Sequence, residues 1–85
     1  MKLLKYSPKS WVCSSCEALS KLLKEVHLGD IELIEVDIDT LSPSELKSLG
    51  IRGVPVLRLV DELGVEVKRM QGLPSLTKLQ EFLMD

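Results

Sequence analysis

The sequence predicts an α/β fold: a four-stranded mixed sheet flanked by three helices, in the order β-α-β-α-β-β-α. Three observations carry this. Apolar residues recur with strand-like and helix-like periods in successive segments. Gly, Pro and Ser fall between those segments, where turns and caps need them. The chain has 85 residues, enough for one domain and too few for two, so residues 1–85 are read as a single domain. The opening strand, helix, strand unit implies a parallel pair with a right-handed crossover, and a later hairpin adds antiparallel strands.

The first strand is read at Lys2 to Ser7, a short apolar run ended by Pro8. Cys16, Leu19, Leu23 and Val26 then recur at helical spacing, with Leu22 beside them. Glu17, Lys21, Lys24 and Glu25 take the other faces, and Glu17 and Lys21 form a favourable pair four residues apart. This predicts an amphipathic helix of three to four turns that stops near Gly29. Ile31 to Asp39 alternates apolar and acidic residues, interrupted at Ile34, and reads as the second strand. Ser42-Pro43-Ser44-Glu45 is a compact helix start: Ser42 caps, Pro43 fits the first helical position, and Glu45 completes a capping box. That short helix ends at Gly50. Val56 to Val60 and Val65 to Met70 are β-rich runs joined by Asp61-Glu62-Leu63-Gly64, a predicted hairpin. Ser75 caps a last helix that turns Leu76, Leu79, Phe82 and Leu83 inward.

Composition narrows the function classes. Eleven basic and thirteen acidic residues give a net charge of −2 with both signs interspersed, which leaves no electrostatic footprint for nucleic acid or an anionic membrane. No apolar run approaches the roughly 18 residues needed to span a bilayer. The first residues lack the apolar stretch of a secretory signal. The expectation is a cytoplasmic protein. In that compartment thiols are kept reduced, so a close cysteine pair is catalytic or metal-binding more often than structural.

The chain has two cysteines, Cys13 and Cys16, both within Trp11-Val12-Cys13-Ser14-Ser15-Cys16. A bridge between them closes almost no loop and constrains the unfolded chain very little, so it is poorly placed for stability. Cys13 falls near the N-terminus of the first helix, where unpaired N–H groups and the helix dipole favour a thiolate. Cys16 sits one turn later on the inner side. The predicted roles follow: Cys13 attacks a substrate disulfide to give a mixed disulfide, and Cys16 resolves it. Two other readings stay open. Zinc wants four ligands, and this chain offers Cys13, Cys16 and His27, with His27 about 16 Å along the helix from Cys16. Only a dimer closes such a site. The cysteines are otherwise two inert core residues.

A Cys-x-x-Cys pair that follows a first strand and opens a helix resembles the redox arrangement of thioredoxin-like folds. Gly50-Ile51-Arg52-Gly53-Val54-Pro55 resembles the thioredoxin segment that carries a cis-proline. Val36-Asp37-Ile38-Asp39 and the hairpin, Gly72 and Ser75-capped helix are also similar to that family. The likeness covers the chain from Leu3 onward, without the N-terminal strand and helix of a full-length thioredoxin. It implies a minimal thioredoxin fold and a thiol–disulfide oxidoreductase that reduces protein disulfides. It also implies a cis bond between Val54 and Pro55. Val54, Pro55, Trp11 and Gly72 are then the expected substrate-binding residues, with an extended substrate pairing beside Pro55. No bound cofactor is expected beyond the redox-active Cys13–Cys16 disulfide, and the protein is expected to act as a monomer. The implied partners are disulfide-containing proteins, with an NADPH-dependent thioredoxin reductase or glutathione as reductant.

The chain departs from the family in three places. Ser14-Ser15 stands between the cysteines, where thioredoxins usually have Gly-Pro and glutaredoxins Pro-Tyr. Trp11 lies two residues before Cys13, so the preceding loop is longer than usual, and Trp11 is expected on the rim of the site. Lys5 falls where thioredoxins bury an aspartate, and Glu35 where they place a lysine. This predicts a charge-swapped, partly buried pair beneath Cys16 that relays its proton. The alternative is that both side chains point to solvent. Two further function classes remain: a glutathione-dependent reductase of glutaredoxin type, disfavoured by Gln71-Gly72-Leu73-Pro74-Ser75, and a binding module that uses the same groove.

Overall fold

The structure is a computed structural model that describes residues 1–84. Strands β1 (Lys2–Ser7), β2 (Glu32–Asp37), β3 (Val56–Val60) and β4 (Glu66–Gln71) form one sheet in the order β2-β1-β3-β4. β1 runs parallel to β2 and antiparallel to β3, and β3 runs antiparallel to β4. Helices α1 (Ser14–Glu25), α2 (Pro43–Leu49) and α3 (Leu76–Leu83) complete the predicted order.

The period of two along β1 sends its residues to two cores. Leu3 faces α1 and α3, where it packs with Leu19, Leu23, Leu57, Leu59, Leu79 and Phe82. Tyr6 faces the other way and packs with Val56 and Ile51, against partly buried Leu46 and Leu49 of α2. The sheet is therefore covered on both faces, as predicted. Each fully buried leucine contributes about 1.5–3 kcal/mol by leaving water. Tyr6 keeps its polar end satisfied, because Arg58 Nη1 donates to its hydroxyl at 2.8 Å.

The caps of α2 and α3 follow the residues that encode them. Ser42 Oγ accepts the Glu45 N–H at 3.1 Å, and Glu45 Oε1 accepts the Ser42 N–H at 2.9 Å. Gly50 ends α2 with φ 71°, a left-handed conformation that glycine adopts without steric cost. Ser75 Oγ accepts the Lys78 N–H at 3.2 Å and opens α3. Replacing Ser42 with alanine is expected to destabilise the protein by about 1 kcal/mol, read as a lower urea midpoint at unchanged slope.

Three elements have bounds that differ from the sequence reading. α1 ends at Glu25, because Val26 is already extended (φ −99°, ψ 151°), and Gly29 (φ 58°) belongs to the turn beyond. β2 stops at Asp37, and Ile38–Thr40 form a 3-10 turn. Asp37 causes this by accepting the Asp39 N–H on its own carboxylate at 3.0 Å, which bends the chain out of the sheet. β4 starts one residue later than read and reaches Gln71. Its hairpin is organised by Asp61, whose Oδ1 accepts the N–H groups of Leu63 and Val65, each at 2.9 Å.

Candidate functional site

Cys13 is the N-cap of α1. Its Sγ accepts the Cys16 N–H at 3.2 Å, taking the place that a Ser or Asp oxygen usually fills. Ser15 Oγ lies 3.5 Å from the same sulfur and donates to it in the disulfide form, where Cys13 has no proton. Cys13 thus has two donors aimed at its sulfur at the positive end of a helix. Both favour the thiolate over the thiol once the bridge is opened. Cys13 and Cys16 form a disulfide across a Cα–Cα distance of 5.2 Å. Cys16 is only 4% exposed while Cys13 is half-buried, so the outer sulfur is the more accessible of the two.

The loop before Cys13 is held by a residue the sequence reading did not single out. Asp39 Oδ2 accepts the N–H groups of Ser10 at 2.8 Å and Lys9 at 3.0 Å. The Ser10 backbone bond, then that of Lys9, holds the Asp39 carboxyl below its ordinary pKa. These bonds tie the loop to the 3-10 turn that follows β2. Nothing local in the sequence marks Asp39 for this role, because its partners lie 29 and 30 residues away.

Two cavities meet at Trp11, which is 53% exposed. One, of about 340 Å³, is lined by Cys13, Cys16, Lys5, Lys9 and Glu17 among others. The second, of about 380 Å³, is lined by Trp11, Ile38, Leu46, Ile51, Arg52, Gly53 and Val54. Trp11 stands on the rim between the sulfurs and the loop that ends in Pro55. The Val54–Pro55 peptide bond is cis, and Pro55 is buried. Gly72 lines neither cavity. Its N–H donates to the Pro55 carbonyl at 2.9 Å with φ 84°, so it braces the proline loop.

Lys5 and Glu35 do meet, at 3.1 Å between Nζ and Oε1 across the parallel β1–β2 ladder. They are not equally buried. Lys5 is 3% exposed, on a strand flanked on both sides, whereas Glu35 lies on the edge strand with its side chain 56% exposed. The expectation of a partly buried pair holds for contact, and that of two solvent-facing side chains holds for Glu35 alone. His27 follows the C-terminal end of α1, the end opposite the cysteines.

Comparison with known proteins agrees with this geometry. No family model matches the chain. The SPbeta prophage-derived thioredoxin-like protein YosR of Bacillus subtilis (strain 168) is 32% identical over 85 residues, covering 100% of this chain and 98% of the relative. Mitochondrial thioredoxin 3 of Saccharomyces cerevisiae superposes with a TM-score of 0.77 at 19% identity, over 96% of this chain and 74% of that one. A thioredoxin mutant from Halobacterium salinarum gives 0.76 at 23% identity, over 96% and 70%. These two structural matches establish the fold. With the relative matched end to end and the Cys13–Cys16 pair bridged at a helix start, the chain belongs to the thioredoxin-like family.

Proposed function

We propose that this protein is a small thioredoxin that reduces protein disulfides through a Cys13/Cys16 dithiol–disulfide cycle. The observation that carries the reading is the asymmetry of the sulfurs: Cys13 half-exposed at the helix start with two donors on it, Cys16 buried one turn behind. In the reduced state the Cys13 thiolate attacks one sulfur of a substrate disulfide, forming a mixed disulfide and releasing the other substrate sulfur as a thiolate. Cys16 loses its proton and attacks the Cys13 sulfur. The Cys13–Cys16 bridge forms, and the second substrate sulfur leaves reduced. The Lys5–Glu35 pair is the proposed relay for the Cys16 proton, with the Glu35 carboxylate as its acceptor. The substrate segment lies in the apolar groove of Trp11, Ile51 and Val54, where the Val54 backbone offers strand-like pairing.

In this reading the protein works as a cytoplasmic monomer without a bound cofactor, and an NADPH-dependent thioredoxin reductase restores its dithiol. The test starts from the oxidised protein and compares reduction by NADPH and thioredoxin reductase with reduction by glutathione. The expected result is fast turnover with the reductase and slow reaction with glutathione. Preference for glutathione reassigns the protein to the glutaredoxin type. Reduction by neither leaves a binding module and overturns the proposal.

A further inference from the structure

A buried charge shares a cavity with the two sulfurs. Lys5 is the only buried charged residue among those described. It lines the same cavity as Cys13 and Cys16. Its counter-charge, Glu35, has a side chain that is more than half exposed and therefore largely screened by water. The two charges do not cancel at the sulfurs. The ammonium acts through the protein interior, where its field is strong, and the carboxylate acts partly through solvent, where it is weak. Two other charged residues line the cavity, Lys9 and Glu17, both exposed and of opposite sign.

We infer that Lys5 sets the redox poise of the protein: its buried ammonium stabilises the negative charge that appears on the sulfur pair on reduction, and so makes the disulfide a stronger oxidant. The inference rests on the oxidoreductase reading. The step it acts on is balanced as follows. The Cys13–Cys16 disulfide takes up two electrons and one proton from a dithiol, giving one thiolate and one thiol. The donor dithiol becomes a disulfide and releases its second proton to solvent. Only the product side carries a negative charge, so a fixed positive charge nearby pulls the equilibrium toward the reduced form.

A relay and a fixed charge predict different behaviour. A relay fails when either member loses its ionisable group, so Lys5→Met and Glu35→Gln both slow resolution of the mixed disulfide and leave the equilibrium alone. A fixed charge makes the two variants move the equilibrium in opposite directions. Lys5→Met removes the stabilising cation, while Glu35→Gln removes the anion that partly offsets it. Lys5→Arg keeps the charge and restores the poise. Lys5→Met is also expected to fold, because its side chain sits beside Leu57 and Glu35 is left in contact with water.

The experiment equilibrates each full-length variant with a dithiothreitol redox buffer at pH 7 and reads the fraction oxidised. Lys5→Met is expected to shift the equilibrium about tenfold toward the disulfide, equivalent to about 30 mV for a two-electron couple. Lys5→Arg is expected to stay within about twofold of wild type, about 9 mV on the same scale, and Glu35→Gln to shift toward the dithiol. An unchanged equilibrium in Lys5→Met, with the wild type equilibrating normally, overturns this inference alone. Equal shifts in Lys5→Met and Lys5→Arg also overturn it, since packing is then the cause. A wild-type disulfide that does not equilibrate with the buffer overturns the oxidoreductase reading as well.

Discussion

Cys16→Ser is expected to turn the protein into a trap. Cys13 still attacks a substrate disulfide, but nothing one turn behind it attacks in return, and the mixed disulfide accumulates. Reductase activity on a protein disulfide falls to background. The check is a covalent adduct, visible by non-reducing electrophoresis and mass spectrometry and released by dithiothreitol. Cys13→Ser is expected to lose activity equally and to form no adduct, because the remaining sulfur is only 4% exposed. Adducts through Cys16 in the Cys13→Ser protein would reverse the assignment of roles. The expectation rests on depth as well as on chemistry: the outer sulfur is half-buried and the inner one is almost fully covered.

Leu19→Ala is expected to cause a large loss of stability. Leu19 is fully buried on the inner face of α1, three residues after Cys16, and packs with Leu3, Leu23, Leu57 and Leu79. Truncation removes apolar contact and leaves a cavity that the rigid sheet cannot close, at a cost of about 2–5 kcal/mol. A native domain of this size holds only about 5–15 kcal/mol in total. The melting midpoint is expected to fall by on the order of 10–30 °C. Thermal denaturation of the oxidised protein measures it. A fall of less than about 5 °C would mean that α1 is not anchored through this leucine.

The sequence revealed those parts of the fold whose signals are local. The Ser42–Glu45 box, the Gly50 stop and the Ser75 cap each lie within four residues of the group they satisfy, and each is present. The boundaries that moved depend on competition. Asp37 spends its carboxylate on the Asp39 N–H, and the strand ends there although the apolar alternation continues. At the site, the cysteine pair was legible from its spacing, and the cis-proline from the resemblance that the stretch Gly50 to Pro55 bears to the thioredoxin segment. The tie from Asp39 to Ser10 was not, since it joins residues 29 apart. The depth of Lys5 was only half legible. A lysine in a strand usually faces water, and only the sheet order, which puts β1 between β2 and β3, decides that it does not.

The proline loop is held at both ends. Arg69 of β4 donates to the carbonyls of Leu49 and Gly50 at the exit of α2, and Gly72 donates to Pro55 at the far end. Arg69 is itself fixed by Glu66, whose carboxyl is kept below its ordinary pKa by Arg69 and then Arg58. In the proposed function, a chain segment that docks against Val54 meets a surface that is already braced. The host surrenders little motional freedom on association, and the entropy lost is chiefly the guest's. Discrimination among guests is then expected to fall to how readily each one straightens, with a disulfide in a mobile loop expected to react faster than one locked inside a packed core.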